Sequence, residues 1–280
     1  SEPYYFDMSK FILSEISRPM IMGILNVTPD SFSDGGRFTA IDAALRQTEA
    51  MLNAGAQIID IGGESTRPGA AAVSETDELS RVIPVIDKIK DEFDCWVSLD
   101  TSKAMVMQAG IDAGVDMIND VCALSLENTL DVVASSDVPV CLMHMQGTPR
   151  TMQANPVYDE LIPDICNFFA NKIAECEAAG IGRDRICLDP GFGFGKTLAH
   201  NYQLLNELQT FNKFDVPVLA GLSRKSMIGN LLDLPSQDRV LGSVVAATIA
   251  MQHGAKIIRV HDVAESKQAV DIFNATKYGV

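Results

Sequence analysis

Eight short apolar runs, each followed by a longer stretch of helical spacing, constrain this 280-residue chain more than any other feature. The runs are MIMGIL (20–25), QIIDI (57–61), WVSL (96–99), DMIN (116–119), VPVCLM (138–143), RICL (185–188), VPVLA (216–220) and KIIRV (256–260). They are rich in β-branched residues and continuous rather than alternating, as strands covered on both faces are. Between them the spacing predicts helices over 41–54, 76–91, 103–113, 127–135, 158–179, 201–210, 238–253 and 265–276. Ser74 with Asp77 three residues on is a start signal for the second helix, and Thr101 or Ser102 for the third. Gly55, Gly114, Gly180 and Gly254 each stand just past a helical stretch, where a left-handed C-cap favours glycine. Eight strand–helix units without a dividing linker predict an α/β fold, a single-domain (β/α)8 TIM barrel with its core over 18–276. An open doubly wound sheet would usually carry a Gly-rich phosphate turn after the first strand, which this chain lacks.

A formal charge of -15 repels phosphate backbones and argues against a nucleic-acid partner. No apolar run approaches the ~18–20 residues that span a bilayer, so a membrane partner is not expected. The segment SEPYYFDMSKF has no basic flank leading into an apolar stretch and does not read as a secretory signal. Six cysteines without a C-x-x-C pair read as reduced, buried thiols, and the location expected is the cytoplasm.

In a barrel the loops after the strands form the active face. After the first strand comes a long loop, Asn26 to Gly36, rich in small polar residues and ending in two glycines; it reads as a lid or as an ordinary connection. After the second, Gly62-Gly63-Glu64-Ser65-Thr66-Arg67-Pro68-Gly69 reads as an anion-binding loop or as a turn with a solvated arginine. Asp100, Asn119, Asp120 and Asp189 close the third, fourth and sixth strands. One such residue is usually a helix cap. Three strands ending this way at one mouth suit a ring that presents several N–H donors and a carbonyl. Gly191-Phe192-Gly193-Phe194-Gly195-Lys196 fails the P-loop pattern at Pro190 and the dinucleotide pattern at Lys196, so it does not read as a nucleotide site. Arg224 and Lys225 follow the seventh strand. Arg259 and His261, two apart on the eighth, project to one side and form a phosphate grip. In an acidic chain, Arg67, Lys225, Arg259 and His261 gather at one rim, which points to an anionic substrate. His144 reads equally as structural or catalytic, and His200 and His253 receive no role.

Met22 to Gly36, Asp60 to Gly69, Asp100 to Lys103, Ile118 to Asp120, Leu188 to Lys196, Gly221 to Ser226 and Ile258 to Asp262 together resemble the dihydropteroate synthase family, over about residues 18–272. That family, a group of pterin-binding TIM barrels, transfers the pterin of 6-hydroxymethyl-7,8-dihydropterin diphosphate to 4-aminobenzoate, releasing pyrophosphate and making dihydropteroate for folate. The resemblance implies Mg2+ as cofactor, a homodimer, and a dissociative substitution. It implies catalytic roles for Asp100 and Lys225, and a pterin site of Asp100, Asn119, Asp189 and Lys225. It implies a diphosphate site of Thr66, Arg67, Arg259, Val260 and His261. The 4-aminobenzoate pocket, which sulfonamides also occupy in the family, would be framed by Thr66, Pro68, Phe194, Lys225 and Ser226, and Asn26 would help hold the metal. A corrinoid-dependent methyltransferase barrel would share the Asp/Asn/Asp contacts but has no need of a phosphate grip, and a non-catalytic pterin-binding or scaffold barrel has no reason to keep that grip.

Overall fold

The structure is a computed structural model that describes residues 9–29, 39–148, 152 and 156–280. Residues 30–36 of the predicted lid lie outside them. Eight parallel strands alternate with helices: β1 (Met20–Asn26), α1 (Ala40–Ala54), β2 (Ile58–Gly62), α2 (Glu75–Glu92), β3 (Trp96–Asp100), α3 (Ala104–Asp112), β4 (Met117–Asp120), α4 (Thr129–Ala134), β5 (Val140–Met143), α5 (Leu161–Ala178), β6 (Ile186–Asp189), α6 (Leu198–Asn206), β7 (Leu219–Ala220), α7 (Ser226–Leu232), α8 (Val240–Gln252), β8 (Ile257–Val260) and α9 (Val263–Tyr278). The strand order is β6-β5-β4-β3-β2-β1-β8-β7. A parallel bridge between Leu188 and Val218, with Leu188 N–H donating to the Pro217 carbonyl at 3.0 Å, brings the two ends together as a (β/α)8 barrel.

The predicted strands all form. The seventh is the shortest, because Pro217 has no N–H to give a ladder and only Leu219 and Ala220 pair with β8. Two helices, α7 and α8, follow it where the spacing predicted one. The helix expected over 201–210 starts earlier, at Leu198, and passes into a 3-10 segment, Leu208–Phe214. Its start is fixed by a reciprocal cap: Thr197 Oγ1 accepts from His200 N–H and His200 Nδ1 accepts from Thr197 N–H, both at 3.1 Å. This gives His200 a structural role. Ser74 caps α2 as its sequence indicates. Thr101 and Ser102 do not cap α3, whose N-cap is Lys103. Their hydroxyls donate instead to Glu78 and Asp120.

Period-two alternation divides the strand residues into two layers. Ile21, Ile59, Val97, Ile118, Val140, Ile186 and Ile258 pack outward under the helices. Met22, Ile58, Trp96, Met117, Cys141, Cys187, Leu219 and Ile257 fill the barrel interior, closed below by Phe11, Leu13 and Ile16. Each such side chain contributes roughly 1.5–3 kcal/mol by burial. All six cysteines are free thiols, and all but Cys122 are buried. The apolar plug fixes where chemistry can occur, because the next inward residue along several strands is polar.

Candidate active site

Two positions beyond the apolar layer, the same inward column presents Asp60 on β2, Ser98 on β3, Asn119 on β4, Asp189 on β6 and Arg259 on β8. Asp100 stands one further step along β3, opposite Gly62. A carboxyl column inside a barrel has to be paired, and it is. Asp60 Oδ2 accepts from Arg259 Nε at 2.7 Å and from Asn119 Nδ2 at 3.2 Å. Arg259 Nη2 lies 3.5 Å from Asp100 Oδ2. Burial and the neighbouring Asp60 charge push the Asp100 pKa well above the usual carboxylate range, with Arg259 opposing. Burial works against the Arg259 charge, but Asp60 and Asp100 outweigh it and raise its pKa.

Asp189 and Lys225 form the opposite wall. Burial raises the Asp189 pKa, against the pull of Lys225 and of the Gly191 N–H that donates to its Oδ1 at 2.9 Å. Burial lowers the Lys225 pKa to about 8, with Asp189 opposing. Lys225 Nζ donates to the Phe192 carbonyl at 2.5 Å and sits 5.1 Å from the Phe194 ring centroid, within cation–π range. The Gly191–Lys196 segment carries both contacts. Gly191, Gly193 and Gly195 all have positive φ, and a Cβ on Gly191 would stand 1.9 Å from the His144 carbonyl oxygen. Lys196 locks the loop from inside. Its buried Nζ reaches the Gly191 carbonyl at 2.9 Å, the Phe194 carbonyl at 3.0 Å and His144 Nδ1 at 3.0 Å. His144, its pKa pulled to about 2 by burial and the Lys196 charge, is a neutral acceptor and therefore structural.

Above Arg259, His261 N–H donates to Ser223 Oγ at 3.0 Å while the same oxygen lies 2.8 Å from His261 Nδ1. Among the described residues Nδ1 is the acceptor within reach of the Ser223 proton, which leaves the hydrogen of a neutral imidazole on Nε2. Burial and the charges of Arg259 and Arg224 lower the His261 pKa to about 4, so it is a neutral donor at pH 7. Arg224 is held by Asp262, its Nε donating at 2.9 Å. Arg67 is exposed, yet its charge is felt at His261.

The mouth thus brings Asp100, Asn119, Asp189, Lys225, Phe194, Arg259 and His261 together. Thr66 is half-buried, and Pro68, Ser226 and Asn26 are exposed at the rim. Two expected residues behave differently. The Val260 side chain is buried in the outward layer, so only its backbone can meet a ligand. Asp120 does not face the mouth: its carboxylate accepts from Ser102 Oγ and from the N–H groups of Cys122 and Leu124, fixing a turn in which Ala123 and Leu124 both have positive φ. Sequence reasoning passed over Asp60, Ser223, Lys196 as a loop anchor, and Glu78. The last, buried on α2, accepts from Lys103 Nζ at 2.7 Å; Lys103 also reaches Glu64 at 3.0 Å and so ties the 62–69 loop to β3.

Among the described residues no group of three or more His, Cys, Asp or Glu side chains could hold a metal. A Mg2+ that keeps its waters and binds through substrate phosphates needs few protein ligands. The exposed amide of Asn26, in register with Gly62 at the end of β1, fits that lesser requirement.

A polar barrel mouth with this ring defines the class: a family model described as pterin binding enzyme matches residues 22–261. The dihydropteroate synthase of Haemophilus influenzae is 54% identical over 262 residues, covering 94% of this chain and 95% of that protein. A Yersinia pestis dihydropteroate synthase solved with a sulfonamide drug superposes with a TM-score of 0.90 at 56% identity, covering 94% of this chain and 96% of that one. The Xanthomonas albilineans dihydropteroate synthase in complex with 7,8-dihydropteroate gives 0.87 at 45% identity, covering 94% and 95%. The chain belongs to the dihydropteroate synthase family of pterin-binding enzymes.

Proposed function

We propose that this chain transfers the pterin methylene of 6-hydroxymethyl-7,8-dihydropterin diphosphate to the amine of 4-aminobenzoate, giving 7,8-dihydropteroate and pyrophosphate. One observation carries the reading: three carboxylates and two cations, Asp60 and Asp189 buried and Asp100, Arg259 and Lys225 half-buried, share a single mouth, with a neutral histidine donor above them. Asp189 accepts from ring N–H groups, Asn119 completes that edge, and Lys225 donates toward the ring carbonyl. Arg259, His261 through Nε2–H, Arg67 and Thr66 meet the diphosphate, and Phe194, Pro68, Ser226 and Thr66 border the aromatic amine.

Charge arithmetic favours a dissociative course. Asp60, Asp100 and Asp189 against Arg259 and Lys225 leave one excess negative charge when all are ionised. The methylene–oxygen bond breaks, its electron pair leaves with pyrophosphate, and the positive charge on the pterin methylene makes up the balance. Asp100, whose carboxylate burial disfavours, gains most from a cation beside it. The amine lone pair then forms the C–N bond and the nitrogen loses its proton to solvent or pyrophosphate. Asn26 and the substrate phosphates would hold Mg2+, which would help neutralise the leaving group. Residues 62–72 would close over the mouth and keep water from the cation.

The reading extends to a cytoplasmic homodimer. Leu241 and Val245, one turn apart on α8, are 77% and 52% exposed, as an apolar contact face requires. Nearby on α8, Val244 and Ile249 are partly buried against the core and Met251 belongs to it. No helix among the described residues is long and apolar enough to cross a membrane.

The test is pyrophosphate release on mixing the pterin diphosphate with Mg2+, with and without 4-aminobenzoate. Release that depends on the amine is expected. A chain that bound the pterin and released nothing would belong with the methyl-transferring or non-catalytic barrels.

A further inference from the structure

Asp60 is the most buried carboxylate of the mouth and the one with no assigned task. Its Oδ2 is shared between Arg259 Nε and Asn119 Nδ2. Its Oδ1 has no hydrogen-bond partner among the described residues, and neither does Asn119 Oδ1 beside it. Two buried acceptors without donors are costly unless a ligand supplies them. The polarity is one-way: a carboxylate can only accept, so Asn119 must turn its amide nitrogen down to Asp60 and its oxygen away from it. Arg259 is tied at Nε by the same oxygen, so its two Nη groups remain to reach Asp100 and a ligand.

We infer that Asp60 is a positioning residue that sets Asn119 as an acceptor toward the pterin edge and fixes the plane of Arg259, thereby coupling ring recognition to the diphosphate grip. The inference rests on the activity proposed above. It assigns Asp60 no contact with the reacting atoms.

Asp60→Asn is close to isosteric, but its amide can donate to Asn119 Oδ1, and the fixed polarity is lost. Calorimetry with 6-hydroxymethylpterin should show affinity at least about tenfold weaker, as expected for a lost hydrogen bond to a charged group. A cycle separates positioning from mere support of the fold. If Asp60 acts through Asn119, Asn119→Ala costs much less affinity in the Asp60→Asn background than in the wild type. Losses that multiply in full would overturn the inference. Should Asp60→Asn fail to fold, nitrogen-15 NMR of the wild type still decides. The Arg259 Nε–H resonance should be protected from solvent exchange in the free protein; rapid exchange would overturn the inference. A wild-type protein that ignored the pterin would overturn the proposed activity and this inference with it. A wild-type protein that bound it no better than Asp60→Asn would overturn this inference alone.

Discussion

Lys196→Met should loosen both the fold and the pterin wall. The side chains have similar length, so the change removes an ammonium while leaving the packing nearly intact. Three donors meet three close acceptors, the Gly191 and Phe194 carbonyls and His144 Nδ1, at 2.9–3.0 Å. That is the stoichiometry of the protonated form. Burial pulls the Lys196 pKa down while Asp189 opposes, and three acceptors around Nζ favour the charged form. Each stranded buried acceptor costs about 1–3 kcal/mol, and removing the lysine recovers part of its own desolvation cost. The net expectation is about 2–4 kcal/mol of lost stability, read as a lower urea midpoint at neutral pH with unchanged slope. The same change unpins Gly191 and Phe194 on either side of the Phe192 carbonyl that Lys225 uses, so calorimetric affinity for 6-hydroxymethylpterin should fall too. An unaltered midpoint together with unaltered affinity would refute the cage.

Asp189→Ala should abolish binding of 6-hydroxymethylpterin, because the ring N–H groups lose their acceptor; unchanged calorimetric affinity would refute the role. Arg259→Ala should weaken the diphosphate substrate by on the order of 2–5 kcal/mol and the bare pterin far less; equal losses would count against a diphosphate site. With Lys225 lowered to about 8, kcat/KM should decline as pH rises through about 8 as its donor proton is lost, and Lys225→Arg should remove that limb from the profile. For His261, folded near 4 against an ordinary 6.5, the unfolded chain takes the proton first. Stability therefore falls as pH drops from 6.5 toward 4. Pyrophosphate raises the same pKa, so its binding near pH 5 (about one unit above the folded value) should take up protons in paired-buffer calorimetry, and His261→Asn should not.

The fold was legible because burial on both faces writes itself as continuous apolar runs, and because glycine stops such as Gly55 and Gly114 need a left-handed backbone. What escaped was set by tertiary demand. The seven-residue α7 is too short to show a period. Thr101 and Ser102 have the chemistry of caps, but a buried Glu78 and Asp120 compete for their hydroxyls. Asp120 ends its strand as Asn119 does, yet alternation sends neighbours to opposite faces, so only one of the pair can enter the mouth.

Alternation also shows how the missing carboxylate could have been found. Asp60 sits inside Ile58-Ile59-Asp60-Ile61, a run otherwise wholly apolar. An ionised side chain there costs several kcal/mol unless a cation and a further donor meet it. Its presence therefore demands partners from other strands, and a period of two restricts them to inward positions at the same height. Arg259, on the strand that flanks β1 on its other side, and Asn119, two strands away, are the inward residues able to answer. A charge at the centre of a barrel strand thus predicts its own neighbours across 199 residues of sequence, where the strand-end motifs alone gave only a list.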